Sequence, residues 1–183
     1  MSGREPFAIW ITGLPASGKS VLAGALLARL VSCGVRATRL ESDAMRPLLA
    51  PGAGYSEAGR DAFYGALLED GMRRLRAGEN VLFDATASRK AYRDRAREAI
   101  GRFIEVYVDT PLRVCESRDP KGIYRREREG TGLGNVPGLS APYEPPEAPE
   151  ITVHGDRERP DDAAARIVSL IRERGWLPPG GDG

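Results

Sequence analysis

Phe7-Ala8-Ile9-Trp10-Ile11-Thr12-Gly13-Leu14-Pro15-Ala16-Ser17-Gly18-Lys19-Ser20 is the stretch on which the fold turns. Its apolar run, residues 7–11, is bounded by Pro6 and Gly13 and reads as a buried strand. Residues 13–20 then meet every fixed position of the pattern G-x-x-x-x-G-K-[ST], directly after a strand and opening a helix. Such a loop aims backbone amides and a helix dipole at an anion. Gly13 and Gly18 supply the backbone freedom that a tight wrap requires. Lys19 reaches the β- and γ-phosphates of a nucleotide as a compact charge, and the Ser20 hydroxyl is a magnesium ligand.

Outward from this loop, residues 18–33 form a helix with Val21, Leu22, Ala25, Leu26 and Leu30 at helical spacing and Gly34 as its stop. Strands follow at 35–40, 80–84, 103–108 and 151–153, separated by helical patterns. Ser56 caps a long helix running to residue 77, with Gly78 just past its end. A second helix spans 90–100, a final one stops at Gly175, and Thr110-Pro111 supplies a cap and first-turn proline for a short helix to residue 117. Residues 130–149 read as a long irregular loop and 178–183 as a loose tail. Strands alternating with helices predict a mostly parallel five-stranded sheet covered on both faces, a three-layer α/β fold. The strand order is not legible.

The 183 residues are expected to form one domain, 1–177, with the tail beyond it. With 41% apolar and 29% charged residues, the composition is that of an ordinary globular protein. The longest apolar stretch, 21–28, is far short of the roughly 20 residues of a membrane span. No secretory signal is visible at the start, and two cysteines, Cys33 and Cys115, make no disulfide framework, so a cytoplasmic location is expected. A net charge of +1 argues against bulk nucleic-acid binding. Of 27 basic residues only Lys19, Lys90 and Lys121 are lysines, which reads mainly as compositional bias toward arginine on helix faces.

Asp84 ends the apolar strand Val81-Leu82-Phe83, where a phosphate-loop protein places a magnesium-side or water-side carboxylate, although a strand-end Asp is also common. The absence of an Asn-Lys-x-Asp motif favours adenine over guanine. After the second strand, Asp43 either faces the γ-phosphate and accepts the proton of an attacking hydroxyl, or it or Ser42 caps a helix. Arg46 either holds substrate phosphate or is a surface charge, and Arg60 has the same two readings, an arginine so placed being more often a solvated helix charge. Arg113, Arg118, Lys121, Arg125, Arg126 and Arg128 fit a solvated face or a mobile lid over roughly 113–149. His154 is the only histidine, and no Cys/His cluster has metal spacing, which disfavours zinc and a histidine-based hydrolase triad.

The segment Asp109-Thr110-Pro111-Leu112-Arg113-Val114-Cys115-Glu116-Ser117-Arg118-Asp119-Pro120-Lys121-Gly122-Ile123-Tyr124 resembles the strand-then-lid segment of the adenylylsulfate (APS) kinase family. Asn135-Val136-Pro137-Gly138, Ala141-Pro142-Tyr143-Glu144-Pro145-Pro146 and the loop 13–20 resemble further parts of it, so the likeness spans most of the chain. The resemblance implies a P-loop kinase fold with a lid and an ATP- and Mg²⁺-dependent phosphorylation of the 3′-hydroxyl of APS, giving PAPS in sulfate assimilation, usually by a homodimer. It assigns ATP binding to Gly13, Leu14, Pro15, Ala16, Ser17, Gly18, Lys19, Ser20 and Arg118. It assigns Asp43 as the catalytic carboxylate, aided by Lys19 and Arg46, and places APS against Arg46, Arg60, Tyr55 and the position held by Val136.

The departures lie mostly on the acceptor side. The family's Asp-Gly-Asp element is Glu41-Ser42-Asp43, its Asn is Ala62, and its lid aromatic is Val136. Its Phe-Ile-Ser-Pro segment is Ala85-Thr86-Ala87-Ser88, and 83–89 is instead similar to the Asp-Ala-Thr segment of polynucleotide-kinase-like P-loop kinases, in which the Asp helps organise the acceptor site. Losing one aromatic face forfeits stacking of about 0.5–1.5 kcal/mol. The alternatives are a kinase of the same scaffold acting on a cytidine nucleotide, a polynucleotide 5′-hydroxyl or a natural-product intermediate, and an ATP-binding module without transfer activity.

Overall fold

The computed structural model describes residues 5–177, so the tail expected at 178–183 lies outside the described residues. In chain order the elements are β1 (Ala8–Thr12), α1 (Lys19–Ser32), β2 (Ala37–Glu41), α2 (Ser42–Leu49), α3 (Glu57–Arg76), β3 (Asn80–Asp84) and α4 (Lys90–Ala99). They continue with β4 (Phe103–Asp109), α5 (Leu112–Arg118), α6 (Ile123–Arg128), β5 (Ile151–His154) and α7 (Pro160–Glu173). The strands form one sheet in the order β2-β3-β1-β4-β5, and every pairing is parallel.

A parallel strand buried on both faces reads as a near-continuous apolar run, and all five residues of β1 are buried, the terminal Thr12 with its hydroxyl donating to the Thr86 carbonyl. Alternate residues serve opposite layers. Phe7, Ile9 and Ile11 join Leu22 and Leu26 of α1 and Ile167 and Ile171 of α7. Ala8 and Trp10 join Phe63 and Leu67 of α3 and Tyr92 and Ala96 of α4. β1 and β3 are neighbours, yet β1 leads to α1 on one face and β3 to α4 on the other. Their diverging connections open a crevice at the carboxyl ends of the strands, the usual ligand position in such sheets. The register sets Asp84 beside both Ile11 and Glu41 at that edge.

Ser56 caps α3 as expected, its Oγ accepting from the Gly59 amide at 3.1 Å. Thr110 does not cap α5. Pro111 holds the cap position, and the Thr110 hydroxyl instead donates to the Ser17 carbonyl at 2.8 Å, tying β4 to the phosphate loop. Two short helices were open only as alternatives in the sequence. α2 has only eight residues, contains Pro47 and sets just Met45 and Leu49, one turn apart, against the core, too short a pattern to read. α6 is capped by Asp119, whose carboxylate accepts from the Ile123 and Arg125 amides at 2.7 and 2.9 Å.

The segment between β4 and β5 has a small core of its own, in which Cys115, Tyr124 and Val136 pack against Leu14 and Ala16 of the phosphate loop. Tyr124 donates to the Pro15 carbonyl at 2.9 Å. Further on, the segment straps across the start of α4. Glu144 accepts from the Lys90 amide at 2.6 Å, and Lys90 Nζ reaches Glu147 at 2.8 Å. Beneath this strap Arg93, expected among solvated helix charges, is buried. It donates to Glu105 at 2.7 Å, to the Glu144 carbonyl at 2.6 Å and to the Ala87 carbonyl. Among the described residues no helix is long and apolar enough to cross a membrane.

Candidate active site

The loop 13–18 has the backbone its pattern demands. Gly13 sits at φ 151° and Gly18 at φ 110°, and Ala16 holds a left-handed φ of 59°. A Cβ on Gly13 would lie 2.6 Å from the Val108 carbonyl and 2.8 Å from Ser17 Oγ, so side-chain exclusion matters there as much as φ. Lys19 folds back over the loop and donates to the carbonyls of Gly13 at 3.0 Å and Leu14 at 2.7 Å. Burial lowers its pKa from 10.5 to about 8, with Asp84, Cys115 and Asp43 pulling the other way. Ser17 Oγ is buried and has no hydrogen-bond partner among the described residues.

Two cavities open from this loop. The larger, about 770 Å³, is lined by Pro15, Ala16, Gly18, Lys19 and Ser20 together with Asp84, Arg118 and residues 155–160. Arg118 braces it, donating to the carbonyls of Gly155 at 2.7 Å and Ser17 at 3.3 Å. Gly13, Leu14 and Ser17 shape the loop without lining the space. The smaller cavity, about 490 Å³, is lined by Arg46, Tyr55, Arg60, Ser88, Arg126 and Val136, among others. Asp43 and Lys121 are the two charged residues that line both.

Asp43 lies in the first turn of α2, where Glu41 holds the cap position and no side chain caps the helix. Its carboxylate is paired with Lys121 from the turn before α6, and that pairing raises the Lys121 pKa. Arg46 stacks on Tyr55 at 4.5 Å and on Phe63 at 4.1 Å, and it donates to the Gly54 carbonyl at 3.0 Å. Arg60 spans the cavity, donating to the Asn135 carbonyl at 2.5 Å and to Ser88 Oγ at 3.3 Å. Val136 is buried between this cavity and the small core of Cys115 and Tyr124.

Asp84 lies in the larger cavity, which fits the magnesium-side place expected of a strand-end Asp and differs from the acceptor-side place implied by the polynucleotide-kinase-like segment. Its Oδ2 accepts from Ser20 Oγ at 2.9 Å and from Arg39 Nη2 at 2.5 Å. A strand-end Asp in parallel register with β1 is carried to the phosphate side of the crevice, which explains the difference. The sequence reading missed Arg39 altogether, since an arginine in a weak edge strand reads as a surface charge. It also missed Tyr64, whose hydroxyl oxygen accepts from the Ala87 amide at 2.9 Å and helps hold Ala87 at a left-handed φ of 41°. With Arg93 on the Ala87 carbonyl, both sides of that residue are fixed, and Ser88 follows it into the smaller cavity.

The parallel sheet, the loop wrapped at the end of β1 and a second cavity meeting the first define a P-loop protein of the kinase type. The chain belongs to the adenylylsulphate kinase family, whose model matches residues 5–154. It is 38% identical over 175 residues to the adenylyl-sulfate kinase of Citrobacter koseri, covering 94% of this chain and 86% of the relative. The adenylyl-sulfate kinase of Escherichia coli O1:K1 / APEC is 41% identical over 173 residues, covering 93% of this chain and 85% of the relative. Among solved structures, the Mycobacterium tuberculosis APS kinase in complex with AMPPNP and APS superposes with a TM-score of 0.86. It is 32% identical, with 92% of this chain and 99% of that one covered.

Proposed function

We propose that this protein transfers the γ-phosphoryl group of ATP to the 3′-hydroxyl of adenosine 5′-phosphosulfate, forming PAPS and ADP. The observation that carries this reading is the meeting of the two cavities at Asp43 and Lys121, beside the phosphate loop. The larger cavity takes ATP, with its phosphates on the loop amides and Lys19 and its base toward Arg118. The smaller takes the acceptor, whose sulfate and phosphate suit a wall carrying Arg46, Arg60 and Arg126 and whose base has Tyr55 to stack on. Asp43, at the junction, accepts the proton of the attacking hydroxyl. Lys19 and Arg46 hold the charges on either side of it, so that transfer proceeds by positioning and charge neutralisation.

A divalent cation fits this chain at Ser20. The hydroxyl gives its proton to Asp84, so the oxygen lone pairs remain open to the cavity. Among the described residues no three His, Cys, Asp or Glu side chains cluster into a cage, which suits an ion that shares its coordination with nucleotide phosphates. Ser20 would hold magnesium directly, with Asp84 behind it, and when bound the ion neutralises phosphate charge. A cytoplasmic homodimer serving sulfate assimilation completes the reading.

Val136 supports a second reading. It leaves Tyr55 as the one aromatic ring among the exposed walls suited to stacking a base, so an acceptor with another base would lose less here than in an aromatic sandwich. A thermal-shift panel in the presence of ADP and magnesium tests both. APS should raise the melting temperature well above the effect of cytidine nucleotides or a 5′-hydroxyl oligonucleotide, because stabilisation follows RT ln(1 + [L]/Kd). A larger shift from one of the others would replace APS as the acceptor.

A further inference from the structure

Arg39 lines neither cavity and reaches Asp84 from the β2 side. Its Nη2 lies 2.5 Å from Asp84 Oδ2 and 3.7 Å from Glu41 Oε2, and its Nε is buried without a partner. The Asp84 side chain is only 2% exposed, and the same Oδ2 accepts the Ser20 proton. A buried carboxylate next to an open hydroxyl is by itself an attractive place for a divalent cation. Here that negative charge is already matched by a guanidinium that does not deprotonate. Lys19 adds a further positive charge on the cavity side, Asp43 is taken by Lys121, and Glu41, which also lines the larger cavity, shares Arg39 with Asp84. Without nucleotide the site therefore offers a lone cation a hydroxyl oxygen, and its three acids, Glu41, Asp43 and Asp84, face three cations, Lys19, Arg39 and Lys121.

We infer that Arg39 is a positioning residue that neutralises Asp84 from behind, so that the Ser20 site refuses a free divalent cation and admits one only with the phosphates of the nucleotide. The inference rests on the placement of the cation at Ser20 given above. Asp84 is left to orient the Ser20 hydroxyl, and the phosphates supply the negative charge that completes the site. A metal-first complex, which would fill the cradle with the wrong partner, is thereby suppressed.

The test is binding of Mn²⁺ alone to the nucleotide-free protein, followed by electron paramagnetic resonance. Arg39→Gln keeps a hydrogen-bond donor near Asp84 and removes the charge. It should tighten Mn²⁺ binding at least fivefold, while Arg39→Lys stays within about twofold of the parent. Arg39→Gln combined with Asp84→Asn should lose the gain. Unchanged or weaker binding by Arg39→Gln overturns the inference, as does a gain that survives Asp84→Asn or that Arg39→Lys shares. Arg39→Met serves as a second uncharged variant should the glutamine protein not fold, with the same fivefold expectation and the same overturning result. A role confined to tying β2 to β3 would move the melting temperature and leave these affinities alone. Ser20→Ala separates the underlying reading: if Mn²⁺ binding in the presence of ADP is unaffected by it, the cation placement fails and the inference with it. If Ser20→Ala weakens that binding and Arg39→Gln does not tighten Mn²⁺ alone, only the inference fails.

Discussion

Alkaline pH should weaken nucleotide binding through a single side chain, Lys19. Burial in the empty loop lowers its pKa from 10.5 to about 8. At 1.36 kcal/mol per unit, the displacement amounts to about 3 kcal/mol that the empty loop spends holding the charge. Nucleotide phosphates favour the ammonium and raise its pKa again, so binding above pH 8 takes up a proton. At about pH 9 only about a tenth of the empty protein retains the charge, and ADP affinity should fall about tenfold between about pH 7 and pH 9. Isothermal titration calorimetry in two buffers of different ionisation enthalpy reads both quantities, with close to one proton taken up at the higher pH. Lys121 does not titrate in this window, because its pairing with Asp43 raises its pKa. The stability of the empty protein moves in the opposite sense. The unfolded chain keeps the Lys19 proton up to its ordinary pKa, so between about 8 and 10.5 it binds more protons than the folded chain, and this residue's contribution rises with pH. Lys19→Met should bind ADP weakly and without pH dependence. An affinity that stays flat from about pH 7 to 9 in the parent protein, or no proton uptake, would refute the reasoning.

Three further perturbations follow from the geometry. Asp43→Asn should lower kcat by at least about a hundredfold in a coupled ADP-release assay while the KM for ATP changes little, since the carboxylate is asked for proton transfer and not for nucleotide binding. Arg93→Met leaves Glu105 with Arg97 as its remaining ion-pair partner and frees the Ala87 and Glu144 carbonyls, so urea unfolding should show a loss of about 3–5 kcal/mol. Gly13→Ala must accommodate a Cβ 2.6 Å from the Val108 carbonyl at φ 151°, and it should cost about 1–3 kcal/mol of stability and most of the nucleotide affinity seen by calorimetry.

The phosphate loop was legible because its chemistry is local. Eight consecutive residues fix the turn, the anion cradle and the start of α1, and the apolar run before them fixes a central parallel strand. The boundaries of β3 and the Ser56 cap were legible for the same reason. The strand order was not, because every strand is apolar enough to sit beside several others and the order is decided by how α1, α3, α4 and α7 cover the two faces. Charged residues misled most. Arg39 and Arg93 look like the compositional background of an arginine-rich chain, yet each pairs with an acid on another element, Asp84 and Glu105, and those partners are set by tertiary packing. Asp84 was recognised as functional from its place at a strand end, while the side of the crevice it serves depended on register. Lys90, which had no evident task in the sequence, turns out to anchor the strap over α4.

The central claim is tested most directly by incubating the purified protein with MgATP and APS and following PAPS and ADP by chromatography. PAPS should form in equal amount to ADP, be abolished by Lys19→Met and be strongly reduced by Asp43→Asn. Absence of PAPS, with ATP-dependent phosphorylation of another hydroxyl compound by the same preparation, would contradict it.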